Sequence, residues 1–314
     1  VLRCLTIPLR RAACYVPGGR AAYPSTVIMT AGVARLAGVG EVIVATPPRR
    51  DGTILPEVAA AARIAGASRI LLAGGAQAVA ALALGTERVP RVDVIVGPGN
   101  AWVTEAKRQL SGEVRIDSLA GPTEVVIVAD AAADPRQIAV DLVAQGEHDP
   151  LALSLAVVPD EGLAQRAAEE LSRELSEHPN RIAAESLRAH GALVVARNLD
   201  EALDFADELA PEHLELLLAD ASAALPRVRR AAAVFVGRFA PVPVGDYLAG
   251  PNHTLPTGGT ARFASPLGVA DFLRRQNVIE YGPGQLAADS RHIESLAHAE
   301  GLHGHARAVE ARKP

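Results

Sequence analysis

A length of 314 residues suggests about two domains, and 49% hydrophobic against 21% charged residues excludes disorder at the scale of the chain. The 31 Lys and Arg against 36 Asp and Glu leave a net charge of −5, which offers neither a basic footprint for nucleic acid nor a polybasic membrane patch. Aromatic residues make up only 3%, so the core must be Ala, Val, Leu and Ile, and bases are not read by stacking on aromatic side chains.

Arg3, Arg10 and Arg11 surround a weakly apolar segment without the long apolar run of a signal peptide. Cys4 and Cys14 cannot form a disulfide framework and point to a reducing compartment, so a cytoplasmic location is expected. Beyond them, apolar β-branched runs alternate with Ala-rich helical patterns. Strands are predicted at 41–45, 69–72, 92–96, 125–129, 154–158, 192–196 and 233–236. Helices are predicted at 26–37, 57–65, 76–84, 101–110, 135–145, 162–176 and 199–209. This alternation implies βαβ units with parallel sheets, and nearly continuous apolar strands imply helices on both faces. The most apolar stretch, 70–84, is broken by Gly74, Gly75 and Gln77 and is too short to span a bilayer. A Gly-Pro turn within 116–122 separates two α/β units. After about Gly258 the strand signals stop, and 272–275, 286–288 and 292–312 read as helices. The expected class is α/β: two Rossmann-like parallel-sheet units, 1–122 and 123–260, and a small helical C-terminal tail domain, 261–314.

Neither a Walker loop, a strict G-x-G-x-x-G nor a G-x-S-x-G elbow is present, and the two cysteines give no zinc–thiolate site. Three glycine loops stand out instead: Tyr15-Val16-Pro17-Gly18-Gly19, Gly74-Gly75-Ala76-Gln77 and Gly97-Pro98-Gly99-Asn100. Glycine lets backbone approach a phosphate, and a helix N-terminus favours its charge. One such loop is explained as a tight turn; three in one unit point to a ligand crevice at the carboxyl ends of strands.

Gln145 and His148 lie three apart on a helical pattern, so an amide oxygen and an imidazole share one face and could ligate a divalent metal. Taken alone, the pattern is better read as a helix ended by Gly146 and capped by His148. The adjacent Glu212 and His213 offer two groups that exchange protons near neutrality, against the plainer reading of a surface Glu beside a half-buried His. The Gly/Pro-rich loop 245–259 is too polar for a mere connector, with Asp246 a candidate oxygen ligand and His253 a substrate or metal contact. In the tail, His303 and His305 have a spacing that suits a metal and equally a solvated helix end. His178, His190, His292 and His298 read as surface residues.

Seven blocks in order carry a resemblance: YVPGGRAAYPST, GGAQAVAALALGTERVPRVDVIVGPGNAWVTEAKRQ, IDSLAGPTEVVIVAD, QGEHDP, APEHLEL, GDYLAGPNHTLPTGG and AEGLHGHARAV. From Tyr15 to Arg312 the chain resembles the histidinol dehydrogenase family. The resemblance implies oxidation of L-histidinol through its aldehyde to L-histidine, the last steps of histidine biosynthesis, with two NAD⁺ and one zinc ion per site. Unit 1–122 would bind NAD, unit 123–260 would carry the metal and catalytic residues, and the tail would complete the site.

Carried over by motif, the zinc ligands would be Gln145, His148, Asp246 and His305, with His303 the poorer fit of the tail pair. His213 would be the general base, and Glu212 would help activate the water that attacks the aldehyde. Thr123, where Ser is common, would hold the substrate with His253 and Glu300, alongside the metal and catalytic residues. Tyr15, Gln77 and Asn100 would hold NAD. The resemblance also implies a homodimer in which Glu300 and His305 reach across the interface.

Family members carry a substantial segment ahead of the YVPGG block, whereas fourteen residues precede Tyr15 here, so an N-terminally shortened member with altered stability and assembly is expected. Arg238-Phe239-Ala240-Pro241-Val242-Pro243 departs from the polar, tyrosine-containing stretch of the family. Two alternatives stay open. One is a paralogous zinc- and NAD-dependent polyol or sulfonate dehydrogenase, against which His253, Glu300 and the Glu212–His213 pair argue. The other is an inactive shortened relative that only associates with partners.

Overall fold

The computed structural model describes residues 1–18 and 22–313, so the Gly19 end of the first glycine loop lies outside the described residues. After an exposed strand β1 (Leu2–Pro8) come β2 (Arg11–Tyr15), β3 (Glu41–Thr46), β4 (Arg69–Leu72), β5 (Val94–Val96) and β6 (Arg115–Ile116). The last five form a parallel sheet in the order β4-β3-β2-β5-β6. Its crossovers are α1 (Pro24–Val27) and α2 (Val33–Leu36), joined by a π-turn at Ile28–Gly32, then α3 (Pro56–Ile64), α4 (Gly75–Leu84) and α5 (Ala101–Leu110).

A second parallel sheet repeats the plan. Its strands are β7 (Glu124–Ala129), β8 (Leu153–Val158), β9 (Gly191–Val195), β10 (His213–Leu217) and β11 (Ala233–Val236), in the order β11-β10-β7-β8-β9. They are linked by α6 (Pro135–Gly146), α7 (Glu161–Glu177), α8 (Arg181–His190), α9 (Leu199–Leu209) and α10 (Ala221–Ala224). Each sheet starts at its centre and reverses direction once, between β2 and β5 and between β7 and β10. A short helix, α11 (Val242–Tyr247), follows β11.

The strand sequences account for this layering. In β7, EVVIVA is buried at five consecutive positions, as a parallel strand covered on both faces requires. Alternation then sorts its side chains: Val125 and Ile127 pack with Ile138 and Leu142, while Val126 and Val128 pack with Leu203, Leu214 and Leu216. Helix starts are marked by acceptor side chains. Asp134 caps α6 through the Arg136 N–H at 2.9 Å, and Asn180 caps α8 through the Ile182 N–H at 2.9 Å.

Pro8–Phe272 form one compact unit that holds both sheets; the other unit joins Val1–Ile7 to the chain from Leu273 onward. In the latter, β1 pairs with β12 (Leu273–Ile279), and α12 (Pro283–Ala299) packs on α13 (His303–Glu310). Two expectations for the tail are corrected. Residues 272–275, expected as helix, leave a 3₁₀ turn at Val269–Phe272 and extend as β12, because their partner β1 comes from the far end of the sequence. The helices expected at 286–288 and 292–312 are α12 and α13, parted at Gly301, whose φ of +71° stops helical continuation. No helix among the described residues is long and apolar enough to cross a membrane.

Candidate active site

The reversal between β2 and β5 sets the carboxyl ends of these two strands side by side, where Tyr15 ends β2 and Gly97-Pro98-Gly99-Asn100 follows β5. Glycine is a steric requirement here. Gly97 has a φ of +106°, and a Cβ would stand 2.2 Å from the Tyr15 carbonyl oxygen. At Gly74 a Cβ would meet the Pro47 ring at 2.5 Å. The Gly97 loop is pinned from below by Lys107, which contacts the Gly97 carbonyl at 3.2 Å and pairs with Asp117. Asp117 in turn accepts the Gly97 N–H at 2.7 Å. Asn100 caps α5 by accepting the Val103 N–H at 3.1 Å, and the Tyr15 hydroxyl accepts the Gly75 N–H at 2.9 Å. Tyr15, Gln77 and Asn100, the three cofactor candidates, line one cleft of about 280 Å³ with Pro17, Gly18 and Gly74.

A larger cavity of about 810 Å³ shares Pro17 and Asn100 with that cleft. Thr123, Gln145, His148, Glu212, His213, Asp246 and His253 all line it. The second sheet presents its opposite edge to this space: Thr123 precedes β7, Asp149 and Pro150 precede β8, and Glu212 precedes β10. Carboxyl strand ends from one sheet and amino strand ends from the other therefore border the same cavity.

A directional relay runs through the second edge. Gln145 Nε2 donates to Thr123 Oγ1 at 2.8 Å, and Thr123 Oγ1 donates to Glu212 Oε2 at 2.6 Å. The same Glu212 oxygen accepts the Glu124 N–H at 2.9 Å. Burial pushes the Glu212 carboxyl up, opposed by the neighbouring His213 and by these two hydrogen bonds. His213 is buried, and its Nδ1 lies 2.8 Å from the Glu124 carbonyl oxygen. A carbonyl only accepts, so Nδ1 carries the hydrogen and Nε2 holds the lone pair in the neutral ring.

Burial also lowers His148 and His253, with the Asp246 charge opposing it in both. His253 Nδ1 is 3.2 Å from the Asp246 carbonyl oxygen. The donor end of the Gln145 amide is committed to Thr123, which leaves its oxygen available. That oxygen, the His148 imidazole and the Asp246 carboxylate make a mixed N,O set suited to a borderline-soft divalent cation. They are three donors, one short of a closed tetrahedral site. Among the described residues no group of three or more His, Cys, Asp or Glu gathers as a metal cluster. Glu300 and His305 belong to the terminal unit, Glu300 closing α12 and His305 exposed in the first turn of α13.

Sequence reasoning missed Glu124. Its Oε1 accepts the Gly258 N–H at 2.8 Å, its Oε2 accepts the Glu212 N–H at 3.3 Å, and its backbone orients both catalytic candidates. The available signal was a carboxylate opening an otherwise wholly apolar strand.

A family model described as histidinol dehydrogenase matches residues 1–313. A histidinol dehydrogenase of Moorella thermoacetica is 54% identical over 98% of this chain and 72% of its own length. One from a Synechococcus species is 51% identical over 98% of this chain and 71% of its own. The crystal structure of histidinol dehydrogenase from Elizabethkingia anophelis superposes with a TM-score of 0.93 at 34% identity, over 99% of this chain and 72% of that one. An acetylating aldehyde dehydrogenase from Geobacillus thermoglucosidasius shares the fold, with a TM-score of 0.60 at 15% identity over 90% of this chain and 78% of that one. With a family match along essentially its whole length and relatives above half identity, the chain belongs to the histidinol dehydrogenase family.

Proposed function

We propose that the chain oxidises L-histidinol to L-histidine in histidine biosynthesis, with NAD in the glycine-lined cleft and zinc in the adjoining cavity. The observation that carries this reading is the Gln145–Thr123–Glu212 relay beside His213, on the wall of a cavity that shares Asn100 and Pro17 with the cleft.

His213 Nε2 takes the hydroxyl proton of the bound alcohol, since Nδ1 is occupied by the Glu124 carbonyl. Glu212, raised by burial and held by Thr123, manages the proton of the water that adds to the aldehyde. His253 and Thr123 orient the substrate from two walls. Gln145, His148 and Asp246 would hold the zinc, which when bound supplies a Lewis acid for substrate nitrogen and oxygen, while NAD supplies the hydride acceptor. Passage from primary alcohol to carboxylate removes four electrons, so two NAD⁺ are reduced per substrate. The remaining donors, His305 and Glu300, come from the tail of a second subunit in a homodimer. His303 fits less well, since it is His305 that directly precedes the Ala-Arg-Ala-Val block.

The test is NADH absorbance from the purified chain given L-histidinol, NAD⁺ and zinc. Two NADH per histidinol, abolished by a chelator, is the expected result. No NADH from folded, zinc-loaded protein overturns the reading, and a panel of polyols and sulfonated alcohols then separates a paralogous dehydrogenase from a silent relative.

A further inference from the structure

Glu215 is a carboxylic acid inside an apolar core. It lies on β10 two residues past His213, on the same face of the strand, and is 1% exposed. Its Oε1 accepts the N–H of Val242, the first residue of α11, at 3.0 Å. Its Oε2 is fully buried and meets no N–H or O–H donor. The neighbouring group is the carboxyl of Asp141 on α6, with which Glu215 shares a side-chain hydrogen bond. Two carboxylates cannot make that bond without a proton between them, and an unmatched buried carboxylate oxygen is costly. Burial, and then the adjacent Asp141 charge, push the Glu215 carboxyl well above its ordinary range, so the pair keeps one proton at neutral pH.

The pair joins three elements, each carrying part of the site. On α6, Gln145 stands one turn beyond Asp141, on the same face. On β10, His213 precedes Glu215 by one alternation. On α11, Asp246 stands one turn beyond the Val242 N–H that Glu215 holds. The Pro241-Val242-Pro243 stretch, which departs from the family pattern, builds the first turn of that helix.

Resting on the functional reading above, we propose that Asp141 and Glu215 are positioning residues. Joined through one proton, they clamp α6, β10 and α11 together and fix Gln145, His213 and Asp246 relative to one another. Neither touches substrate; both act through the residues one step away.

The experiment compares wild type with Glu215→Leu, Glu215→Gln and Asp141→Leu in the full 314-residue chain. Amide hydrogen exchange is read over Val242–Tyr247, and zinc affinity is read by titration with buffered Zn²⁺. Leucine fills the space without the bonds, so exchange in α11 speeds up by about tenfold or more, and zinc affinity falls by a similar factor. Glutamine accepts the Val242 N–H with its oxygen and donates to Asp141 with its nitrogen, so Glu215→Gln restores both readouts. With histidinol, Glu215→Leu lowers kcat more than it raises the KM for NAD. Asp141→Leu loosens α11 in the same way and keeps the test decisive if Glu215→Leu does not fold. The proposal is overturned if the leucine variants change only the melting temperature, or if glutamine behaves as leucine does. A wild-type chain that makes no NADH from histidinol sinks the functional reading instead, while the exchange comparison still decides the clamp.

Discussion

The two ring nitrogens of His213 have different surroundings. Because Nδ1 is committed to the Glu124 carbonyl at 2.8 Å, only Nε2 is left to act as a base. His213→Asn should leave the fold intact and lower kcat by about 10²–10⁴-fold with little change in the KM for NAD, as steady-state NADH production will show. Thiol chemistry gives a second check on single side chains. Cys14 is wholly buried, and burial pushes its thiol up to about 12, whereas Cys4 is exposed. One thiol of the two should react with an aromatic disulfide reagent at neutral pH in native protein, and both after denaturation. Rapid reaction of both in native protein would contradict the packing around β2.

A few buried charges tie elements to one another within the apolar core. Lys107 is 2% exposed and pairs with Asp117 beneath the Gly97 loop. Lys107→Met should cost about 3–5 kcal/mol, because it strands a buried carboxylate, and urea unfolding will measure the loss. The Asp141–Glu215 pair sets a pH dependence. Both carboxyls are raised, by burial first, so the folded chain keeps a proton that the unfolded chain releases above its ordinary value of 4.5 for Glu215. The pair's contribution to stability therefore falls as pH rises above that value, and levels off only when the folded pair itself ionises. In Glu215→Gln the slope is shallower; parallel slopes for mutant and wild type would rule out the shared proton. Local patterns made much of this legible in advance. Continuous apolar runs marked seven strands of the two parallel sheets, though not β2, β6 or β10, and the glycine loops and Glu212–His213 marked segments that line two cavities sharing Pro17 and Asn100. What stayed hidden depends on partners far along the chain. β12 needs β1, Glu124 needs Gly258 at a separation of 134 residues, and a lone acid such as Asp141 or Glu215 in an apolar element gives no sign of what it meets.

For the molecule as a whole, the proposed exchange of tails between subunits has a direct test. Inactive His213→Asn protein is mixed, unfolded and refolded with inactive His305→Ala protein. If tails cross, each mixed dimer holds one intact cavity, and about a quarter of wild-type activity returns. If each tail serves its own subunit, none returns. The opposed use of the two sheets also gives the cavity an electrical axis before any side chain is counted. Helices α4 and α5 begin at the first rim, right beside Gly74 and Asn100, so amino ends with their partial positive charge face the cleft. Helices α6 and α9 stop at the second rim, just ahead of His148 and Glu212, so carboxyl ends with partial negative charge face the relay. Such an axis would favour dinucleotide phosphates at the first rim and, on the proposed function, a metal cation with a protonated amine at the second. On the proposed function, the backbone alone would thus orient cofactor and substrate before any side chain contacts them.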